Sequence, residues 1–394
     1  MKKNQLNLYS PLSTLHSLMK ELQEILKKIS QFTENEKAIL ATVVDVVGSG
    51  YRRAGARMLI DANGYSIGTV SGGCLEADVL ERAKRVLQTG EPTVITYDTM
   101  QDENSLFGLG MGCRGIIRVL LEPFERETIL ARTLQIASEY RKRQFIATMI
   151  SSGRAVIGGR LFYSNVEQFD FQNLPNDVED FDEFKNDCLE FFAQNKSAEV
   201  REYKIGTDFF ELFFENINPP LALLLFGAGF DALPVVRFAK ELGWRVCVID
   251  HRAAFANKER LPEADEIVNS RAEDLPEGLF KDENSVAVVM THNYERDREI
   301  LHRLLNSSCR YIGALGPKKR TENLIQELRD AGRPFDENKF EQIHAPIGLD
   351  IGAETPEEIA LAVVAEVKAV LANRDGEFLR QKNKPIHMAP AIIK

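Results

Sequence analysis

A strand that leads directly into a glycine loop and then a helix constrains the fold of this chain more than any other feature. The apolar run 221–226 is followed by Gly227-Ala228-Gly229-Phe230-Asp231-Ala232, which has the pattern G-x-G-x-x-A. Between a strand and a helix this pattern is typical of Rossmann folds, because the glycines let a pyrophosphate approach the backbone. Asp250 ends the next predicted strand, 21 residues after Gly229, and a carboxylate there can contact a ribose hydroxyl.

The rest of the C-terminal half alternates strands with helices. Apolar runs predict strands near 246–250, 266–268, 286–290 and 310–315, and helices near 231–242, 294–306, 321–330 and 357–372. This alternation predicts a parallel sheet with helices on both faces. Asn218-Pro219-Pro220 interrupts the chain before these elements, because two prolines fit neither a helix interior nor a central strand. We therefore predict an α/β fold with two domains, 1–217 and 218–394, the second being Rossmann-like.

The glycine loop has two possible roles. The glycines either bind a nucleotide or only allow the helix to pack closely on the strand. Arg252 could meet a 2′-phosphate, but Asp250 would repel that group, which favours a ribose without the phosphate. The residues predicted to bind NAD or another nucleotide are Gly227, Gly229, Asp250 and Arg252. We interpret His292 as a hydrogen-bonded loop residue rather than a catalytic base.

The N-terminal half predicts an α/β domain of a different kind. Apolar residues at helical spacing predict helices at 12–30, 74–89 and 126–142. Short apolar and β-branched runs predict strands at 38–47, 58–60, 65–70, 93–97 and 116–121. Further strands at 145–150, 155–163, 198–204 and 208–214, with a helix near 178–193, are assigned to the same domain as an extension at its edge.

The first glycine-rich segment of this half, 48–57, carries three arginines. Glycines leave backbone N–H groups open to a ligand, and guanidinium groups match the oxygens of a phosphate. The residues predicted to bind an anionic group are Ser49, Arg52, Arg53 and Arg57. The alternative is a solvated turn.

Two further glycine-rich segments each contain a cysteine. Gly72, Gly73 and Cys74 precede a predicted helix, whose dipole can lower the pKa of a thiol, so they are candidate ligand residues. Burial as a small hydrophobic side chain is nevertheless the commoner state of a free cysteine, and we expect it for Cys74. Gly112 and Cys113 lie among glycines that offer little side-chain cover, which favours a functional thiol and a soft metal ligand.

Charge and cysteine content argue against several classes of protein. A net charge of −10 disfavours free nucleic acid as a partner, because neutralising phosphates needs a basic surface. No run approaches the roughly 18 apolar residues of a membrane span, so we expect no membrane partner. The five cysteines include no C-x-x-C pair, which fits reduced thiols in a cytoplasmic protein.

Together these motifs resemble those of the XdhC/CoxI family, the accessory factors for maturation of xanthine dehydrogenase and related molybdenum hydroxylases. The segments similar to family motifs are 48–53, 55–56, 58, 68, 72–76, 108–115, 226–229, 242–244, 250–252, 312–313 and 345–353. The resemblance covers nearly the whole chain. It is consistent with an N-terminal α/β domain followed by a C-terminal Rossmann-like domain.

The resemblance implies a chaperone that binds and protects the molybdenum cofactor. Such a protein presents the cofactor for sulfuration, with a cysteine desulfurase as partner, and inserts it into an apo enzyme such as xanthine dehydrogenase. The family cysteine linked to cofactor binding aligns with Cys113, a candidate molybdenum ligand. The chemistry agrees, because an anionic molybdopterin with a phosphate suits arginine, backbone N–H groups and a soft thiolate.

Two other functions remain open on the residues alone. Gly227, Gly229 and Asp250 also suit an NAD-dependent oxidoreductase, although no proton-transfer partner for a hydride step is evident. A nucleotide-sensing interaction module is the other alternative. We expect an accessory factor rather than an enzyme, and a homodimer because two-fold symmetric dimers are the commonest assemblies.

Overall fold

The computed structural model describes residues 12–33, 36–48, 50–98, 115–152, 156–164, 167–174, 182–194, 196–205 and 207–381. Contacts among these residues divide the chain into two compact units, with the division between Pro219 and Pro220. The N-terminal unit comprises the described residues up to Pro219, and the C-terminal unit runs from Pro220 to Gln381. Among the helices in these ranges, none has the length and apolar content needed to cross a membrane.

The first sheet of the N-terminal unit is antiparallel and covered by helices. Its strands are β1 (Ala38–Gly48), β2 (Arg57–Asp61), β3 (Ser66–Gly68), β4 (Thr93–Asp98) and β5 (Gly115–Phe124), in the order β3-β2-β1-β5-β4. Its helices are α1 (Leu12–Ile29), α2 (Glu76–Thr89) and α3 (Ile129–Glu139). Because side chains alternate along a strand, Leu40 packs in the core with α1 and α3, whereas Ile39 packs in the core with α2.

Residues 144–217, assigned from the sequence to the first domain as an extension at its edge, form a second antiparallel sheet within the N-terminal unit. Its strands are β6 (Gln144–Ser152), β7 (Arg160–Ser164), β8 (Glu167–Gln172), β9 (Ala198–Ile205) and β10 (Asp208–Ile217), in the order β8-β7-β6-β10-β9. Helix α4 (Asp182–Ala193) packs on this sheet through an aromatic cluster that includes Phe145, Phe191 and Phe214. The strand β8 was not predicted from the sequence.

Two buried ion pairs connect the two sheets. Arg57 of β2 bonds to Glu215 of β10, with 2.5 Å between Nη2 and Oε1. Arg160 of β7 bonds to Glu122 of β5 at the same distance. Each sheet therefore contributes one arginine and one glutamate. Removing one partner of such a pair is strongly destabilising, because the other charge stays buried without compensation.

The C-terminal unit has the parallel sheet that the sequence predicts. Its strands are β11 (Ala222–Phe226), β12 (Arg245–Ile249), β13 (Glu266–Val268), β14 (Ser285–Val289), β15 (Ile312–Ala314) and β16 (Ile343–His344). They lie in the order β13-β12-β11-β14-β15-β16, which confirms the Rossmann-like architecture.

Helices cover both faces of this parallel sheet. They are α5 (Ala232–Glu241), α6 (Tyr294–Leu304), α7 (Lys318–Asp330) and α8 (Pro356–Leu371). Helices α5 and α8 pack in one core cluster, and α6 and α7 in the other. The strand order reverses between β11 and β14, and ligands of such sheets bind at the carboxyl ends of the strands beside this reversal.

Candidate functional site

The end of β1 and the start of β5 lie side by side in the first sheet. Gly48 ends β1 and pairs with Gly115, which begins β5. The predicted ligand residues Ser49, Gly112 and Cys113 lie outside the described residues. In the sequence, Ser49 follows Gly48 directly, and Cys113 precedes Gly115 by two positions. The pairing of the two glycines therefore brings together two described residues that lie within two positions of Ser49 and Cys113 in the sequence.

The turn from Ser71 to Glu76 is braced by the side chains at its two ends. The Ser71 hydroxyl donates a hydrogen bond to the Glu76 carboxylate. It also accepts hydrogen bonds from the backbone N–H groups of Gly73 and Leu75, at 3.2 and 3.1 Å. The carboxylate accepts from the backbone N–H of Ser71 at 2.9 Å and of Leu75 at 3.2 Å. Burial alone would raise the pKa of Glu76, but these hydrogen bonds outweigh it and lower the pKa.

This braced turn exposes Gly72, Gly73 and Cys74 to solvent. The prediction that Cys74 is buried is wrong: its thiol is exposed, and the neighbouring Leu75 enters the core instead. Gly73 has a φ of +108°, a conformation that side chains rarely adopt. The glycines therefore shape a turn that displays a thiol rather than one that hides it.

Tyr51 brings the arginine-bearing segment against this turn. A Cβ added to Gly72 would lie 3.1 Å from the Tyr51 ring, so the ring packs over the glycine backbone. The adjacent Arg52 forms an ion pair with Glu21 of α1, and both side chains are about one-fifth exposed. Arg53 is half-buried. The structure thus brings the segment that carries the arginines into contact with the Gly72–Cys74 turn through the ring of Tyr51.

Arg57 differs from the other arginines of this segment. Only 6% of the residue is exposed, and its guanidinium bonds to Glu215 at 2.5 Å and to the carbonyl oxygen of Gly55 at 3.0 Å. We predicted Arg57 to act with the loop arginines because it lies close to them in the chain. The structure places its charge in the interior of the unit, where it compensates a buried carboxylate.

The glycine loop of the C-terminal unit follows β11 as predicted. Gly227 has a φ of +114°, and a Cβ there would overlap the carbonyl oxygen of Met290. Its N–H donates a hydrogen bond to the carbonyl oxygen of Ile249 at 2.9 Å, which ties the loop to the end of β12. A residue with a side chain does not fit at this position without moving the backbone.

A carboxylate of the chain itself lies beside this loop. A Cβ on Gly229 would lie 2.5 Å from Oδ1 of Asp231, the residue before α5. The other oxygen of Asp231 lies 2.6 Å from Nε2 of His292, a loop residue after β14 with a φ of +56°. The contact links the two loops that flank the reversal of strand order, and it supports the interpretation of His292 as a hydrogen-bonded loop residue.

Asp250 is buried and fully engaged. Its Oδ2 accepts hydrogen bonds from the backbone N–H of Ala228 at 2.9 Å and from the Arg252 guanidinium at 2.7 Å. Its Oδ1 accepts from the backbone N–H and Nε of Arg252, at 2.9 and 3.0 Å. Burial would raise the pKa of Asp250, but the hydrogen bonds from Arg252 and Ala228 lower it to about 2. These donors fill the acceptor positions of the carboxylate.

A cavity of about 320 Å³ opens where the strands β11, β12 and β13 end. Its apolar lining comes from Phe226, Ile249, Ala272 and Ile300. This volume lies at the lower end of the range for small-molecule sites, roughly 300–1,000 Å³. The cavity is therefore large enough for a planar ring system with polar substituents.

The polar lining of this cavity contains basic residues that were not predicted as ligands from the sequence. They are His251, Arg271, Arg296 and Arg298. His251 lies 3.2 Å from Asp250, and its pKa is lowered by burial and by the nearby charge of Arg296. These residues follow the ends of β12 and β13 or lie in α6. Their position after predicted strands was the signal that could have identified them.

Rings and guanidinium groups alternate beside Arg252. The Arg252 guanidinium lies 4.3 Å from the ring centre of Phe255, and Arg260 lies 4.6 Å from the same ring. Arg260 also lies 4.8 Å from the ring of Phe230, which is 74% exposed. The row helps to hold Arg252 against Asp250. No group of His, Cys, Asp and Glu side chains with the arrangement of a metal site occurs among the residues described.

Comparison with known proteins gives matches in both halves of the chain. Residues 32–98 match the model of the XdhC and CoxI family, and residues 223–367 match that of the XdhC Rossmann domain. The chain is 32% identical to a probable xanthine dehydrogenase subunit of Bacillus subtilis, over 85% of this chain and 93% of that protein. It is 22% identical to the molybdenum cofactor insertion chaperone PaoD of Escherichia coli, over 86% of this chain and 85% of that protein.

A solved structure has a similar fold. It is described as a xanthine dehydrogenase from Bacillus halodurans, with a TM-score of 0.70 and 30% sequence identity. The match covers 93% of this chain and 98% of that one. The similarity therefore extends over both units and is not confined to the Rossmann sheet.

Proposed function

Because the chain belongs to the XdhC and CoxI family, we propose that it is an accessory protein that binds the molybdenum cofactor as cargo. It protects the cofactor, presents it for sulfuration by a cysteine desulfurase, and inserts it into an apo enzyme such as xanthine dehydrogenase. The similarity to a chaperone named for molybdenum cofactor insertion supports this role.

The observation that carries the proposal is the exposed thiol of Cys74 on a turn that packs against the arginine-bearing segment. The cargo is anionic and combines a phosphate with molybdenum held by sulfur ligands. A guanidinium group recognises the phosphate, and a thiolate is a soft ligand suited to a thiophilic metal. Because Ser71 and Glu76 brace the turn, the thiol of Cys74 is held ready before the cargo arrives.

We retain Cys113 as the principal molybdenum ligand in this proposal. Two observations support this role. Segment 108–115 is similar to the family motif, and Cys113 lies two positions before Gly115, which pairs with Gly48. In this arrangement Arg52 and Arg53 bind the phosphate of the cargo. Cys74 supplies a second thiol on the turn that packs against Tyr51 of the same segment.

The test is retention of molybdopterin by the purified full-length protein. Protein is mixed anaerobically with released cofactor and desalted, and the retained pterin is measured by its fluorescence after oxidation. We expect the wild type to retain pterin and Cys113→Ala to lose most of it. Failure of the wild type to retain pterin would overturn the proposal.

The role of Arg52 has a matched control in its ion-pair partner. Arg52→Gln removes the guanidinium, whereas Glu21→Gln breaks the same ion pair and leaves the guanidinium available. If Arg52 binds the cargo, only Arg52→Gln loses retention. Equal losses in the two variants would assign the pair a purely structural role.

The cavity of the C-terminal unit supports a second component of the function, the binding of a nucleotide. It lies at the carboxyl ends of parallel strands beside a glycine loop, which is the usual place for nucleotides in such folds. Calorimetric titration of the full-length protein with NAD and with NADP tests this component. If the protein binds neither NAD nor NADP, the proposed nucleotide binding is contradicted.

A further inference from the structure

We propose that the cavity of the C-terminal unit selects a nucleotide that carries a phosphate on its ribose, with Arg271 and Arg296 binding that phosphate. The inference rests on nucleotide binding as proposed above and names the class of ligand. It reverses the expectation from the sequence, which favoured a ribose without this phosphate because of the charge of Asp250.

The first step is that Asp250 is engaged inside the fold. A carboxylate at this position usually accepts the hydroxyls of an unphosphorylated ribose. Here two backbone N–H groups and the Arg252 guanidinium already occupy its acceptor positions. Binding a ribose hydroxyl would require Arg252 to leave both its carboxylate and the ring of Phe255. The guanidinium also offsets the negative charge that would repel a phosphate.

The second step is that the glycine loop also has a carboxylate of its own. Asp231 lies beside Gly229 at the start of α5, where the pyrophosphate of a dinucleotide would approach. It is held there by its contact with His292. The loop therefore offers less attraction to a pyrophosphate than the glycine pattern suggests. Strong binding of an anion needs another source of positive charge.

The third step is that such charge lines the cavity. Arg296 is exposed, and its guanidinium has no ion-pair partner in the part of the chain that the structure describes. Arg271 reaches its only ion-pair partner within the same ranges, Glu273, at 4.0 Å. Both arginines line the cavity together with His251, and their charges lower the pKa of this imidazole. Two guanidinium groups therefore remain available at the cavity wall.

Three glutamates also line the cavity, and one of them is paired with arginines other than Arg271 and Arg296. Glu299 is held by Arg298 and Arg333, at 3.4 and 2.7 Å. Glu273 and Glu295 remain, and Glu273 is exposed beside Arg271. A phosphate displaces the weak contact between Arg271 and Glu273, because a doubly charged anion offers better acceptors to a guanidinium than one distant carboxylate.

Position along the chain assigns the phosphate to the ribose rather than to the far end of the ligand. His251 directly follows Asp250, and in these folds the groups just after this carboxylate surround the ribose hydroxyls. The apolar lining by Phe226 and Ile249 receives the base beside it. Arg271 and Arg296 line the same cavity as these apolar residues, so a substituent of the ribose can meet them.

The test compares 2′,5′-ADP with 5′-AMP by calorimetric titration of the full-length protein. We expect 2′,5′-ADP to bind about tenfold more tightly or better, since charge-assisted hydrogen bonds are the stronger class. The double variant Arg271→Gln with Arg296→Gln should lose this preference and keep its affinity for 5′-AMP. Added salt should reduce the preference in the wild type.

A matched control is Arg237→Gln. Arg237 lies on α5 of the same unit, outside the cavity, and reaches Glu263 at 4.0 Å, like Arg271 with Glu273. It should behave as the wild type. Equal affinities for the two nucleotides, or a preference that survives in the double variant, would overturn the inference. Absence of binding to both nucleotides would overturn nucleotide binding as well, while retention of molybdopterin tests the accessory role separately.

Discussion

The turn at 71–76 and the glycine loop at 227–232 are built alike but leave different chemistry exposed. In each, a carboxylate accepts hydrogen bonds from the backbone of the glycine segment: Glu76 from Ser71 and Leu75, and Asp250 from Ala228. In the first, the outcome is an exposed thiol. In the second, Arg252 covers the carboxylate, and the available charge lies on neighbouring arginines.

The difference teaches that a glycine pattern predicts a turn but not the charge of its ligand. Glycines permit the close approach of any group to the backbone. The charge that remains for a ligand depends on which side chains are already paired within the fold. Two arginines of one segment illustrate this, because Arg57 pairs with Glu215 in the interior, whereas Arg52 pairs with Glu21 where water still reaches about a fifth of both side chains.

The largest expected effect is on the free energy of unfolding, and it tests whether Arg57 stabilises the fold or binds a ligand. Glu215→Gln leaves the buried guanidinium of Arg57 without its counter-ion and should destabilise the protein by about 3–5 kcal/mol. Glu21→Gln breaks the less buried pair with Arg52 and should cost less, because water still reaches about a fifth of both side chains. Urea unfolding followed by circular dichroism measures both. Similar midpoints for the two variants would remove the distinction between the two arginines.

The next effect compares the two glycine segments directly. Gly227→Ala and Gly73→Ala both place a side chain at a positive φ, which costs about 1–2 kcal/mol. Only Gly227→Ala adds an overlap with backbone, since a Cβ on Gly73 meets nothing within 4 Å. We therefore expect Gly227→Ala to lower the thermal midpoint more and to weaken nucleotide binding. Equal midpoints would show that the second loop adjusts more easily than its contacts suggest.

A smaller effect concerns the charge of Asp250. Asp250→Asn should cost about 1–3 kcal/mol near neutral pH, because an amide cannot accept all the hydrogen bonds of the carboxylate. The pKa of Asp250 falls from 3.8 to about 2 on folding, so the carboxylate stabilises the fold above about pH 4. This stabilisation is lost as the pH falls towards 2.

Urea midpoints at neutral pH and near pH 3 measure this dependence. The difference in urea midpoint between the wild type and Asp250→Asn should be constant above about pH 5 and should become smaller near pH 3. A difference that widens on acidification would contradict the assignment of the lowered pKa to the folded state.

The smallest effect on stability is expected at Cys74. Cys74→Ser should change the free energy of unfolding by less than about 0.5 kcal/mol, because the side chain is exposed. Alkylation of the native protein should nevertheless label one thiol fewer in this variant. Cys188, Cys247 and Cys309 are buried and should react only after unfolding, and burial raises the pKa of Cys247 to about 12. Equal labelling of the wild type and Cys74→Ser would contradict the exposure of Cys74.

Local patterns were sufficient to predict the Rossmann sheet and its glycine loop. The pattern 227–232 and the position of Asp250 depend on residues close together in the chain, and the alternation of strands and helices sets the topology. The exposure of Cys74 was not predicted. It arises because Leu75, and not Cys74, enters the core. No local pattern distinguishes these two apolar residues.

Long-range pairing accounts for most of what the sequence did not predict. Arg57 and Glu215 are 158 residues apart, so nothing near Arg57 indicates that its charge is used within the fold. Likewise β6 pairs with β10 across more than 50 intervening residues, so the sequence did not show that the strands of this region form a sheet of their own. The cavity of the C-terminal unit combines segments that follow β12 and β13 with residues of α6.

The crossed arrangement of Arg57 with Glu215 and Arg160 with Glu122 makes the two N-terminal sheets depend on each other. A truncation between the two sheets would leave one arginine and one glutamate without their partners in each fragment. Neither half is therefore an independent module. During evolution, a change at one of these four positions would require a matching change in the other sheet. The pairs therefore couple the display of the Cys74 turn to a sheet that contributes no residue to it.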